Sequence, residues 1–490
     1  MTMKKWVQAF GALLVTLIAF SGLIGLGHSV HAADDSLAKV KSRGVLVMGT
    51  SPDYAPYEFI INKDGKNEVV GMDVEVGKAI AKKMGVKLEI KQMDFDSLLV
   101  ALQTGKVDMV LSAMTPTASR AKSVAFSNVY YKAKQYIIVN KNEKDLYKDK
   151  SSFAGKKLGV QTGSLQADIA KSQIPTSTQL GLAKVPDLIL ALKSHKVDGI
   201  VAEDPVASAY VQNDSSLAAI DGKFNLAGDD LGSAIGFPKG ATSLVKVANE
   251  TIAEIKQKNL FPTYLKTAGK DMAGNVQNTS MLHYWSYFAK GVGYTLLITL
   301  LAILIGIPIG TLFALMRLAK NKVVHLIAVS YIEFVRGTPL MIQIMFVYFG
   351  IGLLVDIPAL VAGVIAVSLN SAAYVAEIIR GGIDSIPVGQ TEAARSLGLS
   401  QRQTMQSVIF PQALKNIWPA LGNEFISLIK ESSIVSIIGV TDLIYQLKVV
   451  QTATYKGVQP IVVAMFLYFI MTFSLSKLLN HYERKMQHDN

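Results

Sequence analysis

Val45-Leu46-Val47-Met48-Gly49-Thr50-Ser51-Pro52-Asp53-Tyr54-Ala55-Pro56-Tyr57-Glu58 is an apolar run that stops at a glycine and gives way to prolines, aromatics and two carboxylates. The run reads as a buried strand and the segment behind it as a loop at the strand's carboxyl end, where open α/β sheets place their ligand crevices. Working outward, Gly71 to Met84 has helical spacing, Lys87-Leu88-Glu89-Ile90 is strand-like, Phe95 to Leu102 is helical, and Val107 to Leu111 is a further apolar run. Past Phe126 to Val139 the pattern restarts with Lys157-Leu158-Gly159-Val160, a helix from Ser164, another from Pro186 to Lys193, and Val197 to Val201. Strands alternating with short helices predict βαβ units and parallel sheets. The restart predicts a two-lobed α/β receptor over residues 33–272, with hinges near 133–140 and 224–237.

Upstream, residues 1–32 carry Lys4 and Lys5, an apolar stretch from Phe10 to Leu26, and Val30-His31-Ala32. That is the layout of an export signal peptide with cleavage after Ala32, the other reading being a retained anchor helix. Either way the receptor is expected outside the cytoplasm.

Downstream the composition changes. Residues 285–490 hold 15 Lys/Arg and 10 Asp/Glu, against 34 and 27 in residues 1–284. After a linker at 273–286, the stretches 291–316, 357–376 and 457–476 lack any charged residue and are each long enough to cross about 30 Å of hydrocarbon. A further span lies within 323–355, disturbed at Pro339, and a polar one, 416–441, contains Glu424, Lys430 and Glu431. The expectation is an all-α, five-span transmembrane domain over 287–490.

Loop charges orient it. Arg317, Lys320 and Lys322 follow the first span, Arg380, Arg395, Arg402 and Lys415 the third, and Lys477, Arg484 and Lys485 the last. The intervening loops offer Asp356, and then only Lys448 and Lys456. Lys/Arg excess marks the cytoplasmic side, so the receptor is placed outside, and the 380–415 loop and C-terminus inside.

The whole chain has 490 residues, a formal net charge of +12 and no Cys. The absence of Cys excludes thiol catalysis, Cys-based metal sites and a lipidated cysteine anchor. The basic excess forms no dense run, which argues against nucleic acid.

Two more stretches share the chemistry of the first. Ser112-Ala113-Met114-Thr115-Pro116-Thr117-Ala118-Ser119-Arg120 offers hydroxyls, a helix start and an arginine, whose fork suits a ligand carboxylate. Asp198-Gly199-Ile200-Val201-Ala202-Glu203-Asp204-Pro205 puts carboxylates after a strand, suited to an ammonium. Each residue alone also fits a structural role: Arg120 as a surface residue, Tyr54 and Tyr57 as core, Glu203 and Asp204 as helix caps. The ordered combination describes a receptor for a zwitterion.

On these motifs residues 40–270 resemble the polar amino-acid substrate-binding proteins of ABC importers. The resemblance implies that Arg120 binds the α-carboxylate and Glu203 the α-amino group. It also implies that Tyr54 and Phe95 sandwich the side chain, and that Ser112, Thr115 and Ser164 supply hydrogen bonds. Ser51, where relatives often have Asp, together with Asp53 and the neighbouring Asp204, leaves side-chain selectivity open.

Gly389-Gln390-Thr391-Glu392-Ala393-Ala394-Arg395-Ser396-Leu397-Gly398, running on to Ile409-Phe410-Pro411, resembles the cytoplasmic coupling loop of ABC permeases. Glu333-Phe334-Val335-Arg336-Gly337-Thr338-Pro339 resembles their amino-acid branch. The resemblance, over 285–485, implies docking of Glu392, Ala393, Ala394 and Gly398 on an ATPase. Glu424, Lys430 and Glu431 are expected to line the translocation path, since charge inside a span faces a cavity or bundle interior.

No Gly-x-x-x-x-Gly-Lys-Ser/Thr occurs, so no phosphate loop is expected here, and neither a His-Glu-x-x-His nor a Gly-x-Ser-x-Gly is present. The combined expectation is a fused receptor and permease of an ATP-driven importer of polar amino acids. It forms a homodimer in the bilayer served by two copies of a separate cytoplasmic ATPase, which binds ATP and Mg; this chain holds no cofactor or metal. The alternative is a ligand-gated ion channel, prompted by Gly291-Val292-Gly293-Tyr294-Thr295. A selectivity filter sits in a re-entrant loop between spans, whereas this peptide opens the first span. A chemosensory receptor would need a long cytoplasmic signalling helix.

Overall fold

The computed structural model describes residues 34–63, 66–226, 232–275, 280–454 and 456–488. The signal segment 1–32, part of the second hinge and part of the linker lie outside these residues.

The opening apolar run forms the strand Val45–Thr50, which pairs in parallel with Lys87–Gln92 on one side and Met109–Val110 on the other. Gly236–Phe237 and Ala125–Phe126 extend this sheet antiparallel. Lobe two repeats the plan: Lys157–Gln161 lies parallel between Thr178–Leu182 and Gly199–Glu203, and Gln135–Asn140 and Leu217–Asp221 complete the sheet antiparallel. The sheets are therefore mixed, not purely parallel. The antiparallel strands are those by which the chain leaves one lobe and re-enters the other, and a chain that crosses twice must reverse direction. Tyr131–Lys132 pairs with Gly232–Ser233 at the crossing. The three-stranded ribbon of Asp53–Tyr54, Glu58–Lys63 and Lys66–Val70 carries the aromatic turn.

The core follows the apolar pattern. Leu46 and Met48 are fully buried against the helix Met72–Met84, which presents Val76 and Ile80. In lobe two Leu158, Ile200 and Leu192 do the same. Each fully buried aliphatic side chain of this kind contributes about 2 kcal/mol.

The helix Phe261–Asn275 ends nine residues before the long helix Trp285–Arg317. Among the described residues three helices are apolar and long enough to span a membrane: Trp285–Arg317, Ala359–Asp384 and Val458–Arg484. Five spans result if two bent pairs count as one each. The bend that Pro339 announces is sharp, Lys322–Arg336 meeting Leu340–Leu353 at 107°. The polar span is longer than the sequence indicates, since 401–438 is followed by Leu443–Thr454 at 56°. The segment expected as a loop between the last two spans is thus mostly helix.

Trp285–Arg317 and Ala359–Asp384 cross closely. A Cβ on Gly310 would stand 2.7 Å from the Ala372 carbonyl and from Val375, so only glycine permits the approach. Small residues at helix crossings are how membrane helices gain van der Waals contact when lipid offers no hydrophobic drive.

Candidate functional site

The cleft between the lobes is walled by the loops that follow the paired strands. Ser51, Tyr54, Glu58, Phe95, Ser112, Thr115 and Arg120 come from lobe one, and Gln161, Ser164 and Gln166 from lobe two. The lobes are in contact across it. Arg120 Nη2 donates to the Gly163 carbonyl at 2.8 Å, and the Val185 amide to Asp53 Oδ2 at 3.1 Å. The Glu203 amide lies 3.4 Å from the Tyr54 hydroxyl.

Arg120 sits in the short helix Ala118–Ala121, capped by the Thr117 hydroxyl. Its second nitrogen donates to the Thr115 carbonyl at 2.7 Å, and its guanidinium lies 5.5 Å from the centre of the Phe95 ring. Among the described residues no carboxylate forms an ion pair with it, and burial pulls its pKa down. A cation held on carbonyls in a closed cleft is a receptor for an incoming anion.

Glu203 closes the strand Gly199–Glu203 and is 3% exposed, with Oε2 unpartnered. Burial pushes its carboxyl up to about 8, and the neighbouring Tyr57 phenol offsets part of the rise. Glu203 lies behind Tyr54 and Tyr57, whose rings stack at 5.8 Å.

The remaining expected residues divide. Ser112 lines the cleft and donates to Glu58 Oε1 at 2.7 Å. Ser164 lines it too, but its hydroxyl donates to the Gln161 carbonyl at 2.7 Å and caps the following helix at the Ala167 amide. Ser51 lines the cleft and donates to Asp53 Oδ1 at 2.5 Å. Asp53 itself turns away from the cleft, toward Lys184 at 3.7 Å. Asp204 accepts from the Lys134 amide at 2.9 Å and is the first residue of the helix Asp204–Asn213, outside the cleft wall.

Four participants escaped the sequence reading as site residues. Glu58 is fully buried with Oε2 unpartnered, and burial and then Asp73 push its carboxyl well above the usual range. Asp73, raised by burial to about 6, accepts from the Ala113 amide and the Tyr130 hydroxyl, both at 2.8 Å. Glu58 is the member of this pair that keeps a proton. An acid inside the apolar Tyr57-Glu58-Phe59 was the available signal for it. Gln161 and Gln166 had none, since an amide at a strand end is ordinary.

In the membrane part the Glu392 loop is exposed. Val388–Ser396 is a helix, Gly398 adopts φ +86°, and Ser400 caps the next helix with a reciprocal Gln403 bond. Leu397 is 84% exposed at the bend, as are Glu392 and Ala393 beside it, while Ala394 is buried. Glu424 is half-buried, and Lys430 and Glu431 are exposed at the end of Phe410–Glu431.

A two-lobed clamp whose cleft is lined by Arg120 and Glu58, with Glu203 behind the Tyr54 and Tyr57 rings, joined to a bundle of apolar helices, defines a solute receptor fused to a membrane transport subunit. Residues 46–267 match the bacterial extracellular solute-binding proteins, family 3, and residues 306–488 match the binding-protein-dependent transport system inner membrane component. The chain belongs to both families and is the fused binding protein and permease of an amino-acid ABC importer. It is similar to the putative glutamine transport system permease protein GlnP of Rickettsia bellii, 41% identical over 41% of this chain and 93% of that protein. It is likewise similar to the arginine-binding extracellular protein ArtP of Bacillus subtilis, 37% identical over 52% of this chain and 93% of that protein. The arginine transport system permease protein ArtQ of the same organism is 39% identical over 41% and 93%. Neither family match points to an ion channel.

Proposed function

We propose that the clamp captures a polar L-amino acid outside the cell and hands it to the permease for ATP-driven import. The α-carboxylate is received by Arg120 and the α-ammonium by Glu203. Tyr54 and Phe95 flank the side chain, and Ser51, Ser112, Thr115 and Ser164 border it. Glu58, kept neutral by burial and by Asp73, offers a hydrogen bond to a polar side chain and no counter-charge to a cationic one. Asp53 acts on the contact between the lobes and Asp204 on the Lys134 amide instead.

Residues 1–32 direct export, and the clamp then stands outside. The clamp meets the permease at Asp356 and around Lys448, the segments poorest in cations, in keeping with the Lys/Arg rule. The 380–415 loop and C-terminus face the cytoplasm, where the exposed Glu392-Ala393-Ala394 helix and the Gly398 bend dock on a separate ATPase. Two permease copies and two ATPase copies form the working assembly, with ATP and Mg held by the ATPase. The polar end of Phe410–Glu431, with Glu424, Lys430 and Glu431, borders the path.

The observation that carries this reading is Arg120, a half-buried cation in a closed cleft with no carboxylate in an ion pair with it among the described residues. Calorimetry of the full chain in nanodiscs against the twenty amino acids tests it. Tight binding of arginine, glutamine or another polar member is expected, and binding of none defeats it.

A further inference from the structure

Three ties join lobe one to the permease. The first is the chain itself. The helix Phe261–Asn275 buries Ala268 and Met272 with Phe59 and Val70 of lobe one, and Phe261 stacks on Tyr130 at 6.2 Å. The linker to Trp285 therefore starts from lobe one.

The second tie is Lys106, in the loop behind the lobe-one helix Leu98–Gln103. It is 3% exposed, and its ammonium stands 2.9 Å from Asp356, 3.2 Å from the Ile357 carbonyl and 5.0 Å from the centre of the Tyr348 ring. A Cβ on Gly352 would lie 2.5 Å from Lys106 Cε, so the glycine leaves the room that the lysine fills. Lysine is rarely buried unless paired, and here carboxylate, carbonyl and ring all come from the permease. Asp356 keeps its other side in water, its side chain being 86% exposed.

The third tie is the end of the strand Lys87–Gln92. The Tyr445 hydroxyl donates to Gln92 Oε1, and Gly439, at φ +82°, lies so close to the Gln92 carbonyl that a Cβ would collide with it. Lys448 approaches Asp94 Oδ2 at 3.9 Å.

Lobe two meets the permease differently. Leu190 abuts Gly457, where a Cβ would stand 2.7 Å from Leu190 Cδ1. Beside this contact the surfaces part around a cavity of about 360 Å³ bordered by Pro186, Ile189, Gln451 and Lys456. Lobe two is held to lobe one by Lys184 on Asp94 Oδ1 at 2.9 Å and by the Val185 amide on Asp53 at 3.1 Å. Opening the cleft by moving lobe one would strip Lys106 of every permease partner and leave a cation unpaired. Opening it by moving lobe two leaves all three ties in place.

We infer that lobe one is the docking surface of the clamp, fixed on the permease through Lys106 and the Gln92–Asp94 edge, and that lobe two is the half that moves when solute is captured. The inference rests on the importer reading for its solute and adds to it the surface on which the receptor sits. Asp94 marks the boundary, since one oxygen faces the permease and the other receives the moving lobe.

The chain has no Cys, so paired spin labels can be placed at exposed positions in the full chain in nanodiscs, diluted with unlabelled chain. Lys246→Cys with Leu354→Cys reports lobe one against the permease, and Lys171→Cys with Leu354→Cys reports lobe two. Saturating L-arginine, or the amino acid that the binding panel selects, should shift the lobe-two distance by more than about 2 Å and the lobe-one distance by less. Asp356→Lys with Lys448→Glu, both outside the cleft, should spread the lobe-one distances over roughly 15 Å, the reach of nine flexible residues, while calorimetry still detects solute. A lobe-one distance that moves as far as the lobe-two distance in the parent, or one that stays narrow in the double variant, overturns the inference. Should no amino acid bind, the importer reading falls; a lobe-one distance that is narrow in the parent and spread in the double variant would still support the docking surface.

Discussion

Arg120 in the clamp and Glu377 in the permease are both charges set inside the protein, and they are provided for in opposite ways. Arg120 rests on two carbonyls, with no ion pair among the described residues. Glu377 is gripped by Arg317, Arg380 at 3.1 Å and Arg336 at 3.6 Å, which draws together the helices Trp285–Arg317, Lys322–Arg336 and Ala359–Asp384. Arg380 continues to Asp384 at 2.5 Å and Arg317 approaches Glu333 at 3.9 Å. A half-buried charge with every partner in place holds helices in position; one left short of a counter-charge awaits a ligand. Glu58 and Glu203, each with an oxygen lacking a partner, fall on the clamp's side of this division.

Three substitutions press on the contrast. Glu377→Ala, which leaves Arg336 without an ion pair among the described residues and takes one partner each from Arg317 and Arg380, should lower permease stability by about 3 kcal/mol. Thermal unfolding of the purified chain would show it, and an unchanged melting temperature would mean that the cluster is not structural. Arg120→Ala should leave the melting temperature of the ligand-free chain nearly unchanged. It should weaken amino-acid binding by about 100-fold or more, since two charged hydrogen bonds at ~1.5–3 kcal/mol each are lost. Retained calorimetric affinity would mean that Arg120 is satisfied as it stands.

Glu203→Gln should have a smaller effect, about tenfold on affinity, with a pH signature. The folded-state carboxyl titrates near 8 and an unfolded glutamate near 4.5. Over that window the unfolded chain releases its proton first, so this group lowers the stability of the ligand-free protein progressively as pH rises from 4.5 to 8, and no further above. Glu203→Gln should therefore raise the ligand-free melting temperature at pH 8 and change it little at pH 4. Because an ammonium requires the carboxylate, wild-type affinity should climb between pH 6 and 8, and the variant's should not. Parallel pH profiles for the two would remove Glu203 from ammonium recognition.

The parts of this molecule legible in its sequence are those where one residue type has few substitutes. Alternating strands and helices, charge-free spans and the ordered Tyr54, Arg120 and Glu203 motifs carry their geometry with them. The directions of Asp53 and Asp204 were not legible because a carboxylate's direction depends on which amide or cation lies nearest after folding, here Val185 and Lys184 for one and Lys134 for the other. The 107° turn after Arg336 could be located from Pro339 but not measured, because proline marks a break without fixing its angle. Leu443–Thr454 looked like a loop because its moderate polarity is that of a helix covered by another domain, and periodicity cannot tell which surface covers it.

The nine residues between Asn275 and Trp285 can extend only about 35 Å. A receptor on so short a leash never diffuses away from its gate, and its local concentration there is on the order of millimolar. Uptake would then be governed by how often solute finds the clamp, and a cell making few copies of the chain would lose capacity in proportion without losing sensitivity.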